Sequence, residues 1–172
     1  SSFTETEIFD IATYVRILQG KDGINLADDK AVPSDDKEVL AGESLFTGKA
    51  GCVTCHSYND QGGIVGPSLD GVFARLGESG LNRALSNPSA SIVTGYEAKE
   101  VVMEDGTLIR GRYRNDSDVA VQIQSVDGRR WVTYFKDRVQ LLNDSKESLM
   151  PDIYATFGAT EQNQLMAFLK SL

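Results

Sequence analysis

The chain has 172 residues, 41% of them hydrophobic and 24% charged, enough to bury a core as one domain or as one domain with an appendage. Its 25 acidic residues outnumber 17 basic ones, for a formal charge of −8, which argues against nucleic-acid binding because that depends on a basic surface. No apolar run reaches the roughly 20 residues needed to cross a bilayer, so no membrane span is expected in this chain.

Thr4-Glu5-Thr6-Glu7 forms a capping box, and Ile8, Ile11, Val15 and Leu18 follow at helical spacing until Gly20, which predicts a helix over 1–20. An Asp- and Gly-rich linker with Pro33 covers 21–35. A second helix is predicted from Asp36 to Phe46, and residues 57–78 look loop-rich, with five glycines and Pro67. Ser79 is expected to cap a short helix that stops at Asn87-Pro88. From Glu97 the period changes: Val101 to Met103, Asp105-Gly106 and Leu108 to Tyr113 read as a hairpin. Val119 to Ile123, Asp127-Gly128 and Trp131 to Phe135 read as a second, and Arg138 to Leu142 as a fifth strand. The end is helical, with Thr160 as expected N-cap and Leu165, Met166, Phe168, Leu169 and Leu172 as its apolar face.

Cys52-Val53-Thr54-Cys55-His56 reads C-x-x-C-H and uses both cysteines and the single histidine of the chain. This is the attachment pattern of c-type haem: two thiols add across the vinyl groups, and the adjacent imidazole sits beneath the iron. Two other chemistries compete. A structural zinc site usually takes four Cys/His ligands, and only three exist here, so a carboxylate would have to complete the set. A thioredoxin-like pair needs C-x-x-C at a helix start near a βαβ pattern, whereas Gly48, Gly51, Gly62 and Gly63 suggest loops around a short turn. Covalent haem is the leading reading.

With no second histidine, the other axial position falls to Met103, Met150 or Met166, with lysine, water or an open site as fallbacks. Met103 lies in a predicted strand and Met166 on an apolar helix face, where methionine commonly fills core gaps. Met150 precedes Pro151 in the loop before the last helix, a rigid place to hold a thioether. His56 and Met150 are therefore the expected iron ligands. Such a six-coordinate iron has a raised potential and leaves no position for substrate. Arg75, Tyr96 and Trp131 are donors suited to haem propionates, with surface charge, loop packing and sheet core as their ordinary roles.

Taken together these residues resemble class I monohaem cytochrome c. Gly42 and Phe46 look like the glycine and aromatic of the family's first helix, and Phe168 like their partner on the last. Gly66-Pro67-Ser68-Leu69 is similar to the G-P-x-L loop, which implies that the Pro67 carbonyl accepts from His56. Ser148-Leu149-Met150-Pro151 is similar to the distal methionine loop. The resemblance covers 36–92 and 143–172. It departs from the simple members in the spacing from His56 to Met150, 94 positions. In this it resembles a bacterial subgroup of haem-binding domains in which a stretch like Pro88 to Tyr96 leads into a strand-rich insertion, here 93–142.

The fold expected is mainly α: a cytochrome c fold with a small antiparallel insertion, an Sm-like barrel or curled meander, and an extra N-terminal helix. That helix is either the tail of a preceding domain or an addition to this one. The function implied is electron transfer through one covalent haem c, not enzymatic, between a dehydrogenase or the parent protein and a downstream acceptor. A haem enzyme or ligand sensor with an open sixth position competes with it, as does a docking role for the insertion. Haem attachment implies export, to the periplasm of a bacterium. The acidic balance implies a redox partner with a basic docking patch.

Overall fold

A computed structural model describes Thr4, Ile8, Ile11, Ala12, Tyr14, Val15, 36–125 and 127–172. The chain divides into two compact units, Ser1–Pro33 and Ser34–Leu172. In the first, Ile8, Ile11, Ala12, Tyr14 and Val15 are helical, and Thr4 accepts from the Ile8 amide at 3.0 Å. The remainder of the expected N-terminal helix, and the linker over 21–35, lie outside the described residues.

The second unit opens with α1 (Lys37–Thr47), capped by Asp36, whose carboxylate accepts from the Glu38 amide at 2.9 Å. A single 3-10 turn carries Cys52–Thr54, and a two-stranded ribbon follows, β1 (Ser57–Tyr58) with β2 (Gln61–Gly62). Next comes α2 (Val72–Ser86), which begins seven residues before the expected Ser79 cap. The reason is that two short helices abut at Gly77, whose φ of 63° breaks the spiral, so Ser79 belongs only to the second. The C-cap falls at Asn87, as Pro88 requires.

Five strands then form one antiparallel sheet: β3 (Ala98–Met103), β4 (Leu108–Arg114), β5 (Ala120–Gln124), β6 (Trp131–Phe135) and β7 (Val139–Ser145). Their order is β6-β5-β4-β3-β7, so the last strand returns to pair with the first and β6 and β7 form the edges. Both expected hairpins are present, with Asp105-Gly106 and Asp127-Gly128 in their connections. β4 pairs with β3 along 108–112 and then with β5 through Tyr113 and Arg114. The chain closes with α3 (Ala159–Ser171), whose N-cap is Gly158 rather than Thr160. There Glu161 reaches back to accept from the Gly158 amide at 3.2 Å, which satisfies an amide at the helix entry.

The mainly-α expectation is therefore corrected. Among the described residues 37% are helical and 24% are strand, the balance of an ordinary mixed α and β protein. The three helices of the second unit are short, and the loops between them wrap a cavity without regular structure. The sheet is thus comparable in weight to the helices.

Two cores result. Phe46, Val72, Leu81, Leu85, Leu165, Met166, Phe168 and Leu169 form the first, and Val101, Val121 and Ile123 the second, beneath Tyr113, Tyr134 and Leu142. The first is organised by the crossing of α1 and α3. A Cβ at Gly42 would fall on the Gln164 carbonyl and stand 2.7 Å from the Phe168 Cβ, so only glycine lets the two backbones approach this closely. Beside it the Phe46 and Phe168 rings lie 5.3 Å apart, and Tyr58 packs edge-on to both.

Candidate haem site

The α1–α3 crossing forms the floor of a cavity of about 490 Å³. Cys52, Cys55, His56, Pro67, Arg75, Tyr96 and Met150 all line it, whereas Trp131 does not. Its walls are largely apolar and include Phe46, Leu81, Leu85, Ile92, Leu165 and Leu169. Met103 and Met166 do not line it: Met166 is buried in the first core and Met103 packs on the second.

The 3-10 turn explains how three reactive side chains come to one wall. The Cys55 and His56 amides both donate to the Cys52 carbonyl, at 3.1 and 2.9 Å, and this tight turn brings the cysteines together. No disulfide joins them, both are partly buried, and burial pushes the Cys52 thiol above its ordinary pKa.

His56 is oriented from behind. Its Nδ1 lies 2.7 Å from the Pro67 carbonyl oxygen. A carbonyl can only accept, so Nδ1 carries the proton and Nε2 presents its lone pair, the form a metal needs. Burial lowers the His56 pKa, against the opposing effect of the Pro67 bond, which keeps the ring neutral. Gly66 completes this support. A Cβ there would sit 2.5 Å from His56 Cε1 and 2.7 Å from Nδ1, so the ring packs flat on bare backbone.

Met150 lies in a loop that also lines the cavity. The Met150 amide donates to Ser148 Oγ at 3.1 Å, and the Ser148 amide donates to Ser89 Oγ at 3.1 Å. Arg75 reaches the cavity, yet its guanidinium donates to the carbonyls of Ser68 (2.8 Å) and Asp70, bracing the loop that carries Pro67. Tyr96 lies under the Arg112 guanidinium, 4.0 Å from the ring centroid. Trp131 stacks instead with Arg114 at 4.3 Å, away from the cavity.

Sequence reasoning passed over Tyr58 and the strand arginines. Tyr58 donates to Glu43 at 2.8 Å, and burial, aided by that carboxylate, pushes its pKa up to about 12. The signal for Arg110, Arg112 and Arg114 was their alternation along β4, which puts all three on one face.

Two adjacent thiols, a neutral imidazole with a free Nε2 and an apolar cavity suit a covalently held haem. Among the described residues no three His, Cys, Asp or Glu side chains come together as metal ligands.

Residues 39–120 match the family model for Cytochrome c. The match spans just under half of the chain, from within α1 through the pentad and Pro67 to the start of β5, and it stops short of Met150. The family binds haem c covalently, with iron, and its domains are in general electron carriers rather than enzymes, typically exported in bacteria. No curated protein matches the chain. No helix among the described residues is long and apolar enough to cross a membrane.

Proposed function

We propose that this protein relays single electrons through one haem c held by Cys52 and Cys55, with His56 and Met150 as axial ligands. The carrying observation is that Met150 lines the same cavity as the pentad, which neither Met103 nor Met166 does. When bound, the haem supplies a one-electron couple, and a histidine–methionine pair favours the reduced form. The protein's share is to hold both ligands in a largely apolar cavity, which limits solvent access and reorganisation.

The haem domain comprises 36–92 and 143–172, with 93–142 inserted as a sheet, in the manner of the bacterial subgroup that the sequence resembles. Pro67 orients His56, and Arg75 and Tyr96, which line the cavity, are the proposed donors to the propionates. The electron comes from a periplasmic dehydrogenase, or from another part of the parent protein, and goes to a downstream acceptor. With a formal charge of −8, encounter is steered towards a partner with a basic patch.

Carbon monoxide binding by the reduced protein tests this reading. A closed site binds none, and Met150→Ala opens it and lowers the midpoint potential. Ready binding by the unaltered protein would instead make it a haem enzyme or ligand sensor.

A further inference from the structure

The sheet is not a separate appendage to the cavity, because one of its strands grips the loop that ends at Met150. Arg110 projects from β4 and is about one-third exposed. Its Nη2 donates to the carbonyl of Glu147 at 2.9 Å and to that of Ser148 at 3.3 Å, and its Nε donates to Ser145 Oγ at 3.3 Å. Ser145 is the last residue of β7, so this single guanidinium spans the exit from the sheet and the next turn of chain. From there the chain of bonds continues: Ser148 Oγ accepts from the Met150 amide. The carboxylates of Glu100 and Glu147 stand 3.6 and 3.5 Å from Arg110, farther than the carbonyls and the hydroxyl that it donates to.

The neighbouring arginine on the same face acts on the other side. Arg112 donates from Nε to the Gly95 carbonyl at 2.5 Å and from Nη1 to the Ile64 carbonyl at 3.3 Å, three residues before Pro67. β4 thus carries one clamp for each loop.

We propose that Arg110 is a positioning residue for the sixth iron ligand, and that the sheet sets how firmly Met150 is held. This rests on the reading of Met150 as that ligand. The physical reason is that a thioether is a weak donor, and its occupancy of the iron depends on how often the loop presents it. Residues 146–153 have no helix or strand of their own. Fixing two successive carbonyls with a charged donor restricts the loop and raises the local concentration of the sulfur. A charge-assisted bond of this kind is stronger than a neutral one, and solvent weakens it at a partly exposed site. The remaining effect corresponds to about a tenfold change in ligand occupancy.

The test uses the full-length holoprotein and imidazole as a competing ligand for the ferric iron. Arg110→Ala is expected to leave covalent haem in place, tighten imidazole binding about tenfold, weaken the far-red methionine-to-iron band and lower the midpoint potential. Arg110→Lys, which keeps the charge but not the forked donors, should fall between. Glu100→Gln, which leaves the carbonyl bonds intact, should stay within twofold of the parent. If Arg110→Ala does not accumulate as holoprotein, Arg110→Lys carries the test, and an unchanged imidazole affinity there overturns the proposal. Unchanged affinity and band in Arg110→Ala, while Met150→Leu abolishes the band, would overturn the role of Arg110 alone. Absence of the band from the unaltered protein would remove the Met150 reading and this proposal with it.

Discussion

The imidazole of His56 is held by the Pro67 carbonyl at 2.7 Å across a strip of chain whose Gly66 touches the face of the ring. One contact fixes the tautomer and the other fixes the plane, so a methyl group at Gly66 has no place to go. Gly66→Ala is expected to cost about 1–3 kcal/mol through overpacking. It should also lower the yield of correctly ligated holoprotein, read from the Soret band together with thermal unfolding.

Gly42→Ala tests the crossing of α1 and α3. Here the added carbon would meet the Gln164 carbonyl, which cannot rotate aside as a side chain could. The expected loss is about 3 kcal/mol, the upper end for overpacked cores. In denaturant titration the midpoint should fall with little change in slope.

Phe168→Ala, behind the same crossing, removes a side chain that is 3% exposed and touches two aromatic rings. A loss of about 3–5 kcal/mol is expected. Tyr58→Phe removes only the hydroxyl bond to Glu43 and should cost about 1 kcal/mol, measured in the same titration.

The sheet has its own ionic centre. Lys99 on β3 is 8% exposed and pairs with Asp144 at 2.5 Å and Asp116 at 3.0 Å, and Asp116 also takes Lys136 at 2.8 Å. Burial alone would lower the Lys99 pKa, but its bonds to Asp144 and Asp116 outweigh that and raise it. The bonds from Lys136 and Lys99 lower the pKa of Asp116. A depressed carboxylate contributes stability above its unfolded pKa of about 4 and loses it as pH falls through the lower folded value. A raised lysine contributes fully below about 10.4 and loses its part as pH rises through the higher folded value. Asp116→Asn is therefore expected to destabilise the protein at neutral pH by about 1 kcal/mol. The difference from the parent should shrink below pH ~4, as denaturation at a series of pH values will register.

The site was more legible in the sequence than the fold. Cys52, Cys55, His56, Pro67 and Met150 lie in short motifs whose chemistry depends on near neighbours, and the structure brings all five to one cavity. Both hairpins were readable because Asp-Gly pairs and strand periodicity are local signals too. The balance of α and β was misjudged, because short helices leave long loops that no local pattern counts. The α2 boundary was missed because Gly77 conceals two helices within one span. Trp131 was offered to the haem on chemical type alone, and its place is set by Arg114 across the sheet. Arg110 and Arg112 went unremarked for a related reason. Their partners, Glu147, Ser148, Ile64 and Gly95, lie 17 to 48 positions away in sequence.

The central claim is that Met150, among three methionines, completes the iron's ligand set. The far-red absorption of the ferric protein tests it most directly when recorded for Met103→Leu, Met150→Leu and Met166→Leu beside the parent. The account predicts that the parent shows a weak methionine-to-iron band, that Met103→Leu and Met166→Leu keep it, and that Met150→Leu alone loses it. A band that survives Met150→Leu, or that the parent never shows, would contradict it.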